Sequence, residues 1–207
     1  MATLADLRTY VSRDLRDASN TTFTTTEVDD LVNQGIDALA DVYPKEIVSV
    51  VGTVATNVYT YPVTDYTNIY RVDIHDPASS PTYQAEVPHA YEGRNSGWET
   101  HAGVLYLPPN WPLTAGRWIR AFGYGRYVQL SASTQTTDLD SSGIWAVRVF
   151  AQSRGFARLL MDRALFSQWQ AQPGNTDTTA IALNQLAYSA KQDWAAERQR
   201  LRRVRKL

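Results

Sequence analysis

Three histidines, His75, His89 and His101, are the side chains best suited to proton transfer or metal ligation near neutral pH, and Asp76 and Glu92 stand close to them in sequence. A metal or general-base site would draw on this set. None of the three has a ligand spacing such as HExxH, so surface or loop positions are the better reading. Gly123-Tyr124-Gly125 opens like a phosphate-binding loop, but the third glycine is missing and a polar link rather than a helix follows. A strand end or bulge fits it better. Asp138 and Asp140 could pair as catalytic carboxylates, yet on a polar approach to Ile144 they are better read as helix-capping residues. No Gly-x-Ser-x-Gly or Walker sequence is present. A small hydrolase built on the histidines is therefore a hypothesis without a specific motif. No catalytic residue, metal ligand or cofactor is expected.

Charge is the stronger signal. Net charge is −1, with 20 basic and 21 acidic residues, but the last ten residues hold six of the basic ones and no acid. Residues 1–197 then carry 14 basic against 21 acidic groups, so an acidic body ends in a basic tail. Arg198, Arg200, Arg202, Arg203, Arg205 and Lys206 form either a solvated end or a docking segment for another macromolecule, and docking is favoured. The acids Glu27, Asp29 and Asp30 suit the positive end of a helix dipole. The chain has no cysteine, which excludes disulfides, thiol nucleophiles and Cys-type zinc sites and fits a reducing compartment. Neither an apolar run of about 18 residues nor a secretory leader is found, so a soluble intracellular product without a membrane partner is expected.

The elements that would carry these residues are legible from periodicity. Thr3 and Asp6 have capping-box spacing, and Leu4, Leu7, Val11 and Leu15 recur as one helical face. Thr24 and Glu27 open a second helix lined by Val28, Leu31, Val32, Ile36, Leu39 and Tyr43 and stopped at Pro44. From Ile47 to about Leu130 the chain turns to Val, Tyr, Thr and Trp broken by Pro and Gly, which predicts short antiparallel strands. They are Ile47–Val54, Asn57–Tyr61, Ile69–Ile74, Gln84–His89, Val104–Leu107 and Trp118–Tyr124, with turns at 62–65, 76–81, 92–97 and 108–112. Tyr59, Tyr61, Tyr70, Trp98, Trp111, Trp118, Tyr124 and Tyr127 could stack on bases, but core or subunit contact is the better reading.

After a polar link, Ile144–Trp169 reads as one long central helix, apolar on more than one face and therefore needing more than one neighbour. Its polar breaks are Arg148, Arg154, Arg158 and Arg163. A last helix from about Thr179 lines up Leu183, Ala187, Ala190, Trp194 and Leu201. The expected fold is α+β: a four-helix framework with an antiparallel β-rich lobe between helices 2 and 3. Residues 1–45 and 131–197 would form the helical domain, 46–130 the lobe, and 198–207 an extended basic tail.

In order, TLADLRTYVSRDLRD, a polar turn and FTTTEVDDLVNQGIDALADVYP resemble the first two helices of the head-to-tail adaptor proteins of tailed bacteriophages, also called connector or neck proteins. VYTYPVTDYTNIYRVDI is similar to the strand, proline turn and strand of that family's β-lobe, and TTDLDSSGIWAVRVFAQSRGFARLL to the return into its third helix. Residues 77–112 carry no such match. The resemblance implies a non-enzymatic virion protein, made in the host cytoplasm. It would form a ring, commonly of twelve subunits, beneath the portal protein, extending the DNA channel and docking a stopper or tail-completion protein. The C-terminal segment typically reaches the portal, which here assigns Arg198 to Lys206 with Trp194 and Leu201 as apolar anchors. Arg148, Arg154, Arg158 and Arg163 become candidates for pairing with acids of the adjacent subunit. Genomic DNA would pass an acidic wall without sequence-specific binding, because carboxylates repel phosphates. The competing class is a DNA-binding or packaging-associated protein that uses the basic tail, whose affinity would fall steeply with salt.

Overall fold

The structure is a computed structural model and describes residues 2–76, 78, 83–90, 97–109 and 114–204. It is an α+β protein of two compact units, residues 1–43 with 127–207 and residues 44–126. The predicted turns at 76–81, 92–97 and 108–112, and with them Glu92 and Trp111, lie wholly or largely outside the described residues.

The helical unit begins with α1 (Leu4–Asp14) and α2 (Thr25–Ala40). Both start in capping boxes, Thr3 with Asp6 and Thr24 with Glu27, each satisfying two backbone donors that a helix start leaves over. The α1 face Leu4, Leu7, Val11 and Leu15 is fully buried, as are Val32, Ile36 and Leu39 of α2. Removal of each such side chain from water contributes about 1.5–3 kcal/mol, so these two faces fix the hairpin against its neighbours.

The central stretch differs from its expectation. It is two helices, α3 (Ser141–Met161) and α4 (Arg163–Gln170), separated by Asp162. Asp162 has extended backbone (φ −115, ψ 104) and its carboxylate accepts from Ala164 N and Leu165 N, so it ends one helix and caps the next. With α5 (Ala180–Val204) the described residues hold five helices rather than four. α3 packs against α1, α2 and α5. Close approach depends on glycine: a Cβ at Gly155 would stand 2.4 Å from Leu15 Cδ2, and one at Gly35 would stand 3.1 Å from Val147 Cγ1. The polar link before α3 is pinned, since Asn33 and Leu130 exchange two hydrogen bonds of 2.9 Å and Leu4 N donates to Gln135 O.

The basic tail is also not extended. α5 continues through residues 198–204, and Leu201 is 1% exposed in the core of the helical unit, with Trp194 packed beside it. The reason is visible in α5 itself: Leu183, Ala187, Ala190, Trp194 and Leu201 continue one helical face past residue 197, and the core covers it.

The second unit holds β1 (Lys45–Thr53), β2 (Thr60–Pro62), β3 (Tyr66–Asp76), β4 (Tyr83–Val87), β5 (Glu99–His101), β6 (Val104–Tyr106) and β7 (Trp118–Gly125). They pair antiparallel in two sheets, ordered β1-β7-β3-β4 and β2-β6-β5. Between them lies a separate core that includes Tyr61, Ile69, Val72, Trp98, Leu105 and Ile119.

Tyr70 shows how this unit's surface is wired. Its hydroxyl donates to Glu46 Oε1 at 2.6 Å and its ring meets Tyr124 at 5.2 Å. The hydrogen bond to Glu46 first, then desolvation, then repulsion from the Glu46 charge push its ionisation up to about 12. The neutral phenol is thus favoured in the fold; that stabilisation is complete below the ordinary value of 10.0 and is lost as pH rises through about 12. Glu46→Gln is expected to let Tyr70 ionise at lower pH, read as phenolate absorbance against a Tyr70→Phe reference. An unchanged titration would show that Glu46 is not the cause.

Candidate interaction surface

The residues with catalytic potential are not gathered. His75 lies in β3 against Trp118 (5.9 Å), His101 lies in β5 of the other sheet, and His89 meets Trp98 edge-on at 4.4 Å. Among the described residues no group of three His, Asp or Glu side chains could hold a metal ion. Gly123 and Gly125 belong to β7, opposite two register shifts of β3. A Cβ there would stand 2.3 Å from Asn68 O and 2.4 Å from Asp65 O, so the glycines serve strand contact at a bulge. Asp140 is the N-cap of α3, accepting from Gly143 N at 2.7 Å and from the Tyr43 hydroxyl at 3.0 Å. Of the aromatic residues, Tyr61, Trp98 and Tyr127 are buried, while Tyr70 and Trp118 are exposed on their sheet.

The four arginines of the central stretch divide in two. Arg148 makes a bidentate pair with Asp14 of α1 (2.8 and 2.9 Å), its guanidinium over the rings of Tyr10 and Trp145. Arg158 pairs with Glu27 of α2. Glu27 is held below the ordinary carboxylate value, first by the Thr24 backbone N–H and also by Arg158. Both arginines therefore already have carboxylate partners inside the chain. The acids that take them lie at helix ends more than a hundred residues upstream, a pairing that linear spacing does not reveal. Arg154 and Arg163 are exposed, and neither has a carboxylate partner among the described residues.

Arg154 opens onto a groove between α3 and α5, with a volume of about 450 Å³. Phe150, Ala157, Leu160, Ala187 and Trp194 supply apolar lining; Ser153, Asn184 and Tyr188 supply polar groups; Arg154 and Lys191 supply charge. The Arg154 guanidinium sits 5.4 Å from the Phe150 ring centre, and Trp194 meets Phe150 edge-on at 5.2 Å. Of the groove's lining, Leu160 (42% exposed) and Tyr188 (66%) remain in water, as do Met161 (88%) and Ile181 (75%) elsewhere on α3 and α5. Exposed apolar side chains beside cations in a groove are features that interaction surfaces share.

Of the tail residues, Arg200 forms a bidentate pair with Glu197 (2.9 and 2.6 Å), and Arg198 lies 6.0 Å from the Trp194 ring centre. Arg198 and Arg202 are exposed. Arg203 stands in the last turn of α5, which ends at Val204; Arg205 and Lys206 lie outside the described residues. Leu201 lies in this chain's own core, which corrects its reading as an anchor for a partner; Trp194 is half-buried, packing against that core on one side and lining the groove on the other.

Sequence reasoning missed Lys191, Tyr188 and Asn184, which stand off the apolar line of α5. The one available signal was the surplus of apolar faces on α3. No protein-family model and no curated protein matches this chain. Among the described residues no helix is long and apolar enough to cross a membrane.

Proposed function

We propose that this chain is a structural virion protein, a head-to-tail adaptor of tailed bacteriophages. It forms a ring, dodecameric in the family it resembles, beneath the portal protein, extends the DNA channel and docks the stopper or tail. The observation that carries this reading is the exposed apolar band on α3 and α5 beside the Arg154–Lys191 groove, a surface that a solitary chain leaves in water. The insertion of a β-rich unit between α2 and α3 supports it further, because it is the succession of elements on which the resemblance rests. Contact with the portal falls to the exposed cations Arg198 and Arg202, with Arg203, Arg205 and Lys206 continuing the basic run, through pairing with acidic groups.

The C-terminal role is tested by Arg198→Glu with Arg202→Glu rather than by truncation, since deleting 198–207 would also remove the buried Leu201. The double variant is expected to bind purified portal rings roughly tenfold or more weakly at low salt, with its helical circular dichroism unchanged. Unchanged binding overturns the tail assignment. Absence of the protein from the neck of assembled particles, seen by imaging, overturns the adaptor reading itself.

A further inference from the structure

The groove has one chemical sign. Its charged lining residues are Arg154 and Lys191, and none of its lining residues is acidic. The opposite sign runs along α2 of the same unit, where Asp30, Gln34, Asp37 and Asp41 recur at spacings of four, three and four, one face of a helix. Asp30 and Asp41 are exposed without a cationic partner among the described residues, and Asp37 accepts only a neutral amide hydrogen, from Gln129 at 2.8 Å. Ala38 lies on that face too, half-buried, and its single methyl lets another helix approach closely.

We propose that the groove between α3 and α5 receives the acidic face of α2 from a second copy of this chain. The inference rests on the ring reading above and names its seam. Carboxylates of the incoming helix pair with Arg154 and Lys191, while its Ala38 edge covers Leu160 and Tyr188. Groove and acidic face are different surfaces of one unit, so the contact is heterologous: each copy offers its groove to one neighbour and its α2 to the next, and the chain of contacts closes into a ring when the rotation allows. A two-fold contact through the groove alone would set Arg154 and Lys191 against their own copies, like charge on like. An acidic segment of some other protein is the competing occupant.

Two double variants decide it, Arg154→Glu with Lys191→Glu, and Asp37→Lys with Asp41→Lys. In sedimentation at low salt the parent is expected to self-associate, more weakly as salt is added. Each variant alone is expected to lose association roughly tenfold or more, because groove and α2 then carry the same sign. Mixing the two restores association, since every groove again meets an α2 face of opposite sign, and recovery also proves both variants folded. The proposal is overturned if the parent is monomeric at all concentrations, if either variant alone associates as the parent does, or if the mixture does not recover. Binding of the parent to purified portal rings is read separately. Recovery in the mixture without portal binding keeps the seam and removes the adaptor role; portal-bound rings indifferent to both charge reversals keep the role and remove the seam.

Discussion

Asp17→Ala is expected to destabilise the helical unit by roughly 3–5 kcal/mol, among the larger losses available to a single substitution. Asp17 is 0% exposed. Its carboxylate accepts from Thr21 N (3.0 Å), Thr22 N (3.2 Å) and Phe23 N (2.7 Å), and from the Gln172 side chain (2.7 Å) that follows α4. These backbone donors belong to the turn between α1 and α2, where Arg16 (φ 55) and Asn20 (φ 51) occupy the left-handed region. Each such residue costs about 1–3 kcal/mol, and the turn persists because the carboxylate holds its N–H groups together. Alanine leaves four donors without their acceptor, at about 1 kcal/mol or more each. Asp17→Asn keeps one acceptor oxygen and is expected to lose less. Urea unfolding followed by helical circular dichroism measures both; a loss below about 1 kcal/mol for the alanine variant would show that the turn does not depend on this carboxylate.

What could be read in advance follows from how local each determinant is. The capping boxes at Thr3 and Thr24 are decided within four residues, and both helices start where those residues place them. The break at Asp162 was legible in principle, since an aspartate inside an apolar run is a cap in waiting, but apolar residues on both sides of it masked the stop. β5, Glu99–His101, has no apolar alternation and exists because β6 pairs with it, so nothing local announces it. β2 lies three residues later than its Val-Tyr signal suggested. Asn57 has φ 60 in the preceding turn, and Pro62 is tolerated because β2 is an edge strand.

Surface chemistry was less legible than fold. That Arg148 and Arg158 would be used inside the chain, and Arg154 left at a groove, depends on the rotation of α3 against α1, α2 and α5, which no single helix encodes. The tail misled in the other direction. Its charges drew the eye from Leu201, whose place on the apolar line of α5 was already visible, and that one leucine makes the segment part of the core.

Trp169→Ala is expected to cost roughly 3–5 kcal/mol, as large-to-small changes at buried aromatic residues do. The side chain is 0% exposed, stacks on Phe166 with ring centres 6.2 Å apart and meets Phe156 of α3 edge-on at 6.4 Å. Its indole N–H donates to Leu15 O at 2.8 Å, beyond the C-terminal end of α1. One residue thus ties α4 to α3 by packing and to α1 by a hydrogen bond, which is why α4, only eight residues long, stays docked after the break at Asp162. Trp169→Phe separates the two contributions. It keeps most of the apolar volume but leaves a buried carbonyl without its donor, so about 1–3 kcal/mol is expected from it, and the remainder of the alanine loss is cavity. Both values come from chemical unfolding followed by the helical circular dichroism signal. Equal losses from the two variants would place the whole effect in the hydrogen bond. A phenylalanine variant as stable as the parent would place it entirely in packing, and would mean that the Leu15 carbonyl finds water once the indole is gone.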